Sequence, residues 1–189
     1  MNCALCTIKH CYNGKNCTDI INNVKNHYED EENNKIMKAA SSIEAVHYMK
    51  ATRLEELILF SKKMYYKHLG IAFCVGLSEE AKTVEEILNK HFTVSSVCCK
   101  VCGIDKKTYD LKQIDEHRFE AMCDPIGQAE ILNKENTDLN IITGLCMGHD
   151  ILFTKYSQAP VTTLIVKDRV LSHNPAGAIY SGYYKRKFL

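Results

Sequence analysis

From about residue 71 to residue 175 the chain alternates short apolar runs with capped amphipathic segments, and this alternation constrains its fold more than any other feature. Ile71–Val75 reads as a strand. Ser78, Glu79 and Glu80 then open a helix carrying Ala81, Val84, Ile87 and Leu88 on one face. Phe92–Cys98 is a second strand, and a longer polar connection runs through Asp105 to Glu120. Asp124 and Pro125 then supply an N-cap and a first-turn proline. Leu139–Leu145 is a third strand, leading through Gly144 and Gly148 into a helix that must end before Pro160. Val161–Val166 is a fourth, Asp168 and Arg169 are expected to turn the chain into a short fifth, and Asn174 with Pro175 starts a last helix. Strands apolar along nearly their whole length belong in a parallel sheet covered on both faces. The predicted class is α/β, a three-layer sandwich with a mostly parallel sheet of four to five strands.

Two helices are expected ahead of this region. Ile36, Ala40, Ile43 and Val46 recur at helical spacing, and Thr52 with Glu55 forms a capping box for a segment carrying Leu54, Leu57, Ile58, Ser61 and Tyr65, with Gly70 as its terminator. The expected organisation is a cysteine-rich metal-binding segment over 1–30, then a helical hairpin plus the α/β domain over 31–189.

That first segment holds Cys3, Cys6, Cys11 and Cys17 among Lys9, His10, Asn13, Gly14, Lys15 and Asn16, too polar a setting for thiols acting as core residues. Four thiols opened by a C-x-x-C pair suit a tetrahedral zinc ion or an iron–sulfur cluster. The N-terminus carries no secretory signal and no run approaches the roughly 20 apolar residues of a spanning helix, so a cytoplasmic location is expected. In a reducing compartment ten cysteines would hold metal or do redox chemistry sooner than form a disulfide scaffold. A net charge of +1 favours neither nucleic acid nor an anionic membrane as partner. The expected partners are a metal ion and a small-molecule substrate; the oligomeric state is not encoded legibly.

Six further cysteines fall near strand ends or helix starts. Cys99, Cys123 and Cys146 adjoin glycine or proline turns, where ligands gather in open parallel sheets, and are read as a second cofactor-binding set. Cys146, with His149 one turn along, is the candidate catalytic pair. Cys74 and Cys98 read as small residues packing at strand ends, and Cys102 only weakly completes a C-x-x-C pair with Cys99.

The set Cys3-Ala4-Leu5-Cys6 with Cys11 and Cys17, Cys99-Lys100-Val101, Cys123-Asp124-Pro125-Ile126-Gly127-Gln128-Ala129, Gly144-Leu145-Cys146-Met147-Gly148-His149-Asp150 and Lys167-Asp168-Arg169-Val170-Leu171 through His173-Asn174-Pro175 resembles an uncharacterised bacterial family of cysteine-rich metal-binding proteins. That family is the domain of unknown function numbered eighteen forty-seven. The resemblance implies metal binding and places Cys3, Cys6, Cys11 and Cys17, with Cys99, Cys123 and Cys146, on the matching positions. Cys102 stands where the family pattern has glycine, and Cys98 is dispensable to it.

Three functions compete on these residues. One is a zinc or iron–sulfur protein with a coordinatively full N-terminal centre and an open second centre suited to redox or sulfur chemistry. Another is a cysteine hydrolase, with Cys146 in a G-x-C-x-G elbow and Asp168 and His173 as acid and base. The third is a thiol-based metal or redox sensor acting on a protein partner.

Overall fold

A computed structural model describes residues 1–189, which divide into two compact units, Met1–Tyr48 and Met49–Leu189. The first unit contains two short 3-10 turns, Cys3–Leu5 and His10–Asn13, followed by α1 (Ile21–Glu29) and α2 (Glu31–His47). Helix α1 lies ahead of the two helices expected, with Ile21, Val24 and Tyr28 at helical spacing along it. Between the two helices, Asp30 caps α2 by accepting from the Asn33 N–H at 3.0 Å, while the Asn33 and Asn34 side-chain amides donate back to the carbonyls of His27 and Tyr28. No side chain before Ala39 is buried.

The second unit opens with α3 (Arg53–Lys63), whose capping box is present as expected: the Thr52 N–H donates to Glu55 Oε2 at 2.7 Å and the Glu55 N–H donates to Thr52 Oγ1 at 3.3 Å. Its end differs from expectation. Tyr65, not Gly70, takes the left-handed conformation (φ 63°), and the Tyr66 N–H returns to the Ser61 carbonyl at 3.0 Å. Gly70 instead lies inside β1 (His68–Phe73), because a Cβ there would stand 2.1 Å from Asn140 Oδ1 and 2.9 Å from Leu132 Cδ1.

The alternation then proceeds through α4 (Ser78–Leu88), β2 (Thr93–Cys98), α5 (Pro125–Lys134), β3 (Leu139–Thr143), α6 (His149–Tyr156), β4 (Val161–Ile165), α7 (Ala176–Tyr180) and α8 (Gly182–Phe188). The four strands are all parallel, in the order β2-β1-β3-β4. The protein is an α/β sandwich. Leu69, Ile71, Leu139 and Ile141 pack on one face with Leu57 of α3 and Val84 and Leu88 of α4. Ala72 and Ile142 pack on the other with Ala129 and Leu132 of α5 and Phe153 of α6. Each of the fully buried Leu or Ile side chains contributes about 1.5–3 kcal/mol relative to exposure.

The expected fifth strand does not form. Asp168 Oδ1 accepts from the N–H groups of Val170 and Leu171, both at 2.9 Å, and Ser172 and His173 have φ of 51° and 61°. An Asx turn followed by two left-handed residues cannot run on as extended chain.

Candidate thiol site at the carboxyl rim of the sheet

Strand order places a switch point between β1 and β3, since the chain leaves β1 for β2 on one side and returns to β3 on the other. Cys74 follows β1 directly. Its N–H continues the ladder to the Thr143 carbonyl, and the Cys99 N–H donates to the Phe73 carbonyl at 2.9 Å. Because Phe73 pairs with Cys98, parallel register sets Cys74 beside Cys99, one residue beyond the paired segment. The third thiol arrives through a helix cap. Asp124 Oδ1 accepts the Gly127 N–H at 2.8 Å to start α5, while the Asp124 N–H donates to the Cys99 carbonyl at 2.7 Å, which pins Cys123 next to Cys99.

Behind this rim stands Gln128, fully buried, whose Nε2 donates to the Val97 carbonyl at 2.6 Å and the Phe73 carbonyl at 3.1 Å. It ties α5 to the last residues of both strands before their cysteines.

The three thiols interact directly. Cys99, 2% exposed, donates to Cys74 and Cys123 in turn and also accepts the Val75 N–H at 3.4 Å. The hydrogen bond from Cys99 lowers Cys74 to about 4, helped by Lys167, whose ammonium donates to its sulfur, and opposed by burial. Cys123 is lowered to about 5, again chiefly by Cys99, then by the charges of Lys100 and His149. Cys99 itself is pushed up, because its proton is held between Cys123 and Cys74. The arrangement favours thiolate at Cys74 and Cys123 and the protonated form at Cys99, the three titrating as one coupled set.

Cys146 enters the same cleft from the turn after β3, where Gly144 (φ 73°) and Gly148 (φ 87°) supply the left-handed residues; a Cβ on Gly144 would meet Leu77 Cδ2 at 2.6 Å. The guanidinium of Arg169 donates to Cys146 Sγ at 3.3 Å, which raises the arginine further. His149, at the first position of α6, also lines the cleft. The cleft encloses about 860 Å³ and is walled on one side by the segment between β2 and α5. That segment closes on itself: Asp105 and Ala121 form an antiparallel bridge, Lys106 Nζ meets Glu120 Oε1 at 2.5 Å, and Glu120 Oε2 accepts the Ile114 N–H at 2.7 Å.

Of the residues expected at the second site, Cys99, Cys123, Cys146 and His149 all lie at this rim. Cys74 joins them although its sequence setting, a strand end before Gly76, reads equally as packing. Lys167 and Arg169 were also missed, and they follow the end of β4 at the same rim. Cys98 is half-buried and packs against the core, and exposed Cys102 donates to Asp124, which raises its thiol. The hydrolase arrangement is not assembled. Asp168 spends its carboxylate on backbone N–H groups and His173 Nδ1 accepts the Asp168 N–H at 3.1 Å, while Cys146 faces Arg169.

The N-terminal cysteines are all exposed. The Cys6 sulfur accepts backbone N–H groups of Lys9 (3.5 Å) and Ile8, which lowers its thiol. Nowhere in the chain do three Cys, His, Asp or Glu side chains already close on a common point at metal-ligating distance. In kind, however, the rim donors fit a soft metal: thiols from separate segments, two of them held as thiolates.

The family model for a protein of unknown function, DUF1847, matches residues 12–164. The chain belongs to this family. An uncharacterised protein of Methanocaldococcus jannaschii is 62% identical over 190 residues, covering 100% of this chain and 98% of that one. That relative is archaeal, so the bacterial setting suggested by the motifs gains no support from it. No solved structure matches the chain. No helix of this DUF1847 member is long and apolar enough to cross a membrane.

Proposed function

We propose that this DUF1847 member is a thiol-based metal protein whose working centre lies at the carboxyl rim of the sheet. Cys74, Cys99 and Cys123, with Cys146 beside them, would hold zinc or an iron–sulfur cluster, and Cys3, Cys6, Cys11 and Cys17 would hold a second centre. The observation that carries this reading is the meeting of Cys74, Cys99 and Cys123 from three distant segments, with two of them depressed into the thiolate range. Thiolate is the ligating form of cysteine, and a folded chain that keeps it at neutral pH avoids most of the proton cost of metal capture. When bound, a metal there would supply Lewis acidity, or a cluster would supply electrons. The chain's own cations favour thiolate at two of the sulfurs, Lys167 at Cys74 and Lys100 at Cys123, while Arg169 donates to Cys146 Sγ.

Anaerobic purification followed by metal and acid-labile sulfide analysis tests the proposal. Cys74→Ser with Cys123→Ser should lower the content by about half, and Cys3→Ser with Cys6→Ser should remove the remainder. Full metal content in the Cys74/Cys123 double variant would sink the rim centre.

A further inference from the structure

The cleft beside the thiols carries a charge imbalance and an apolar wall that holding a metal does not explain. Among its lining residues are six cations and two carboxylates. Glu120 is taken by Lys106 at 2.5 Å and Asp115 by Arg118 at 2.6 Å. Lys100, Lys112, Lys167 and Arg169 are left without a carboxylate. Lys100 Nζ donates to the Ala121 carbonyl at 2.5 Å, Lys167 and Arg169 donate to sulfurs, and Lys112 has no side-chain partner. A metal bound by the sulfurs offsets part of their negative charge, so the nearby cations then face the cleft less fully compensated, and low-dielectric walls concentrate that field on whatever enters.

Part of the lining is apolar without being core. Ile114 is 93% exposed and Phe119 69% exposed, with Leu111 and Met122 beside them around the same volume. They are not on a loose loop, because the Asp105–Ala121 bridge and the two bonds accepted by Glu120 brace the segment from within. A braced segment carrying apolar side chains and a set of cations line one cleft of about 860 Å³, which has the dimensions and mixed polarity of a small-molecule site.

We infer that the cleft binds a small organic anion, its oxyanion head on Arg169, Lys100 and Lys167 beside the thiols and its apolar body against Ile114 and Phe119. This rests on reading the rim as the working site and adds the class of molecule that works there. Anions of this kind bind by charge-assisted hydrogen bonds to the fixed cations, and the planar guanidinium of Arg169 offers two parallel donors to a carboxylate, sulfonate or phosphate.

Anilinonaphthalene sulfonate is a suitable probe, because phenylnaphthylamine provides nearly the same ring system without the charge. Binding of both is followed by fluorescence on the chelator-treated, reduced chain and on the metal-loaded chain. The Arg169→Gln variant should weaken the sulfonate by about three- to tenfold and leave phenylnaphthylamine unchanged. Phe119→Ser should weaken both probes by about threefold or more. Lys134→Gln, the same charge change at the far end of α5 and outside the cleft, should change neither. Equal loss with Lys134→Gln and Arg169→Gln, or sulfonate binding indifferent to Arg169→Gln, overturns the inference. Sulfonate binding that depends on Arg169 in a chain that takes up no metal upholds the anion site and refutes the metal centre; metal uptake without Arg169-dependent binding does the reverse.

Discussion

Cys99 is the hinge of the rim's electrostatics, and replacing it separates geometry from coincidence. The hydrogen bond from Cys99 is the largest influence lowering both Cys74 and Cys123. With those thiols at about 4 and about 5, both are almost fully ionised at pH 6.5. An ordinary cysteine there is about 1% thiolate. The metal-free, reduced chain should therefore show about two thiolate equivalents at pH 6.5 in its 240 nm absorbance, over any contribution from Cys6. In Cys99→Ala the donor disappears, Cys74 keeps only Lys167 and Cys123 keeps Lys100 and His149. Both midpoints should climb, and the signal at pH 6.5 should fall to about one equivalent or less. Cys99→Ser restores an O–H donor at the same place and should recover much of the loss. Cys6 lies in the other compact unit and contributes equally to all three proteins. If Cys99→Ala, still folded by circular dichroism, keeps two thiolates titrating below pH 6, the shared proton is not what holds them ionised.

The same thiols predict how stability changes with pH. Cys74 and Cys123 are depressed from 9.0 on folding, so between about pH 5 and pH 9 the folded chain binds fewer protons than the unfolded chain. Their contribution is complete above pH 9 and drains away as pH falls toward 5; Cys99, pushed up, works against stability only above about pH 9. Melting temperatures of the metal-free chain should fall more steeply on acidification than those of Cys74→Ala with Cys123→Ala, and equal slopes would contradict this. Gly70→Ala should destabilise by about 1–3 kcal/mol in urea, since the new Cβ meets Asn140, whose side chain is already bonded to Thr137 and Ser157. A neutral result would mean that Asn140 moves aside without loss. Gln128→Leu should cost about 1–3 kcal/mol by removing the donor to the Val97 carbonyl. It should also broaden the thiolate titration, as the strand ends lose their brace.

The sheet was legible because its central strands β1 and β3 are buried on both faces and because α3 and α5 start on local caps; Thr52 with Glu55, and Asp124 with Pro125, act within four residues and need no tertiary context. What escaped was set by contacts far along the chain. Gly70 looks like a helix terminator until Asn140 stands opposite it, and the break after α3 falls on Tyr65, a residue that the left-handed region does not favour. Asp168 was read as a turn, correctly, but the left-handed Ser172 and His173 that stop a fifth strand follow from the turn's closure. At the rim, glycine and proline turns flagged three of the four thiols. Cys74 needed the register of β1 against β2 to be recognised, and the cations needed the end of β4 to be placed.

Parallel pairing also fixes when each set of sulfurs can first exist. Cys3, Cys6, Cys11 and Cys17 leave the ribosome together, within one short stretch, and need nothing later in the chain to be near one another in sequence. Cys74 meets Cys99 only after α4 has carried the chain back across the sheet, and Cys123 joins when α5 docks. Cys146 waits for β3 to pair with β1. A nascent chain therefore displays its N-terminal thiols well before the rim is built, and whatever is delivered to the rim has to be delivered to a finished fold.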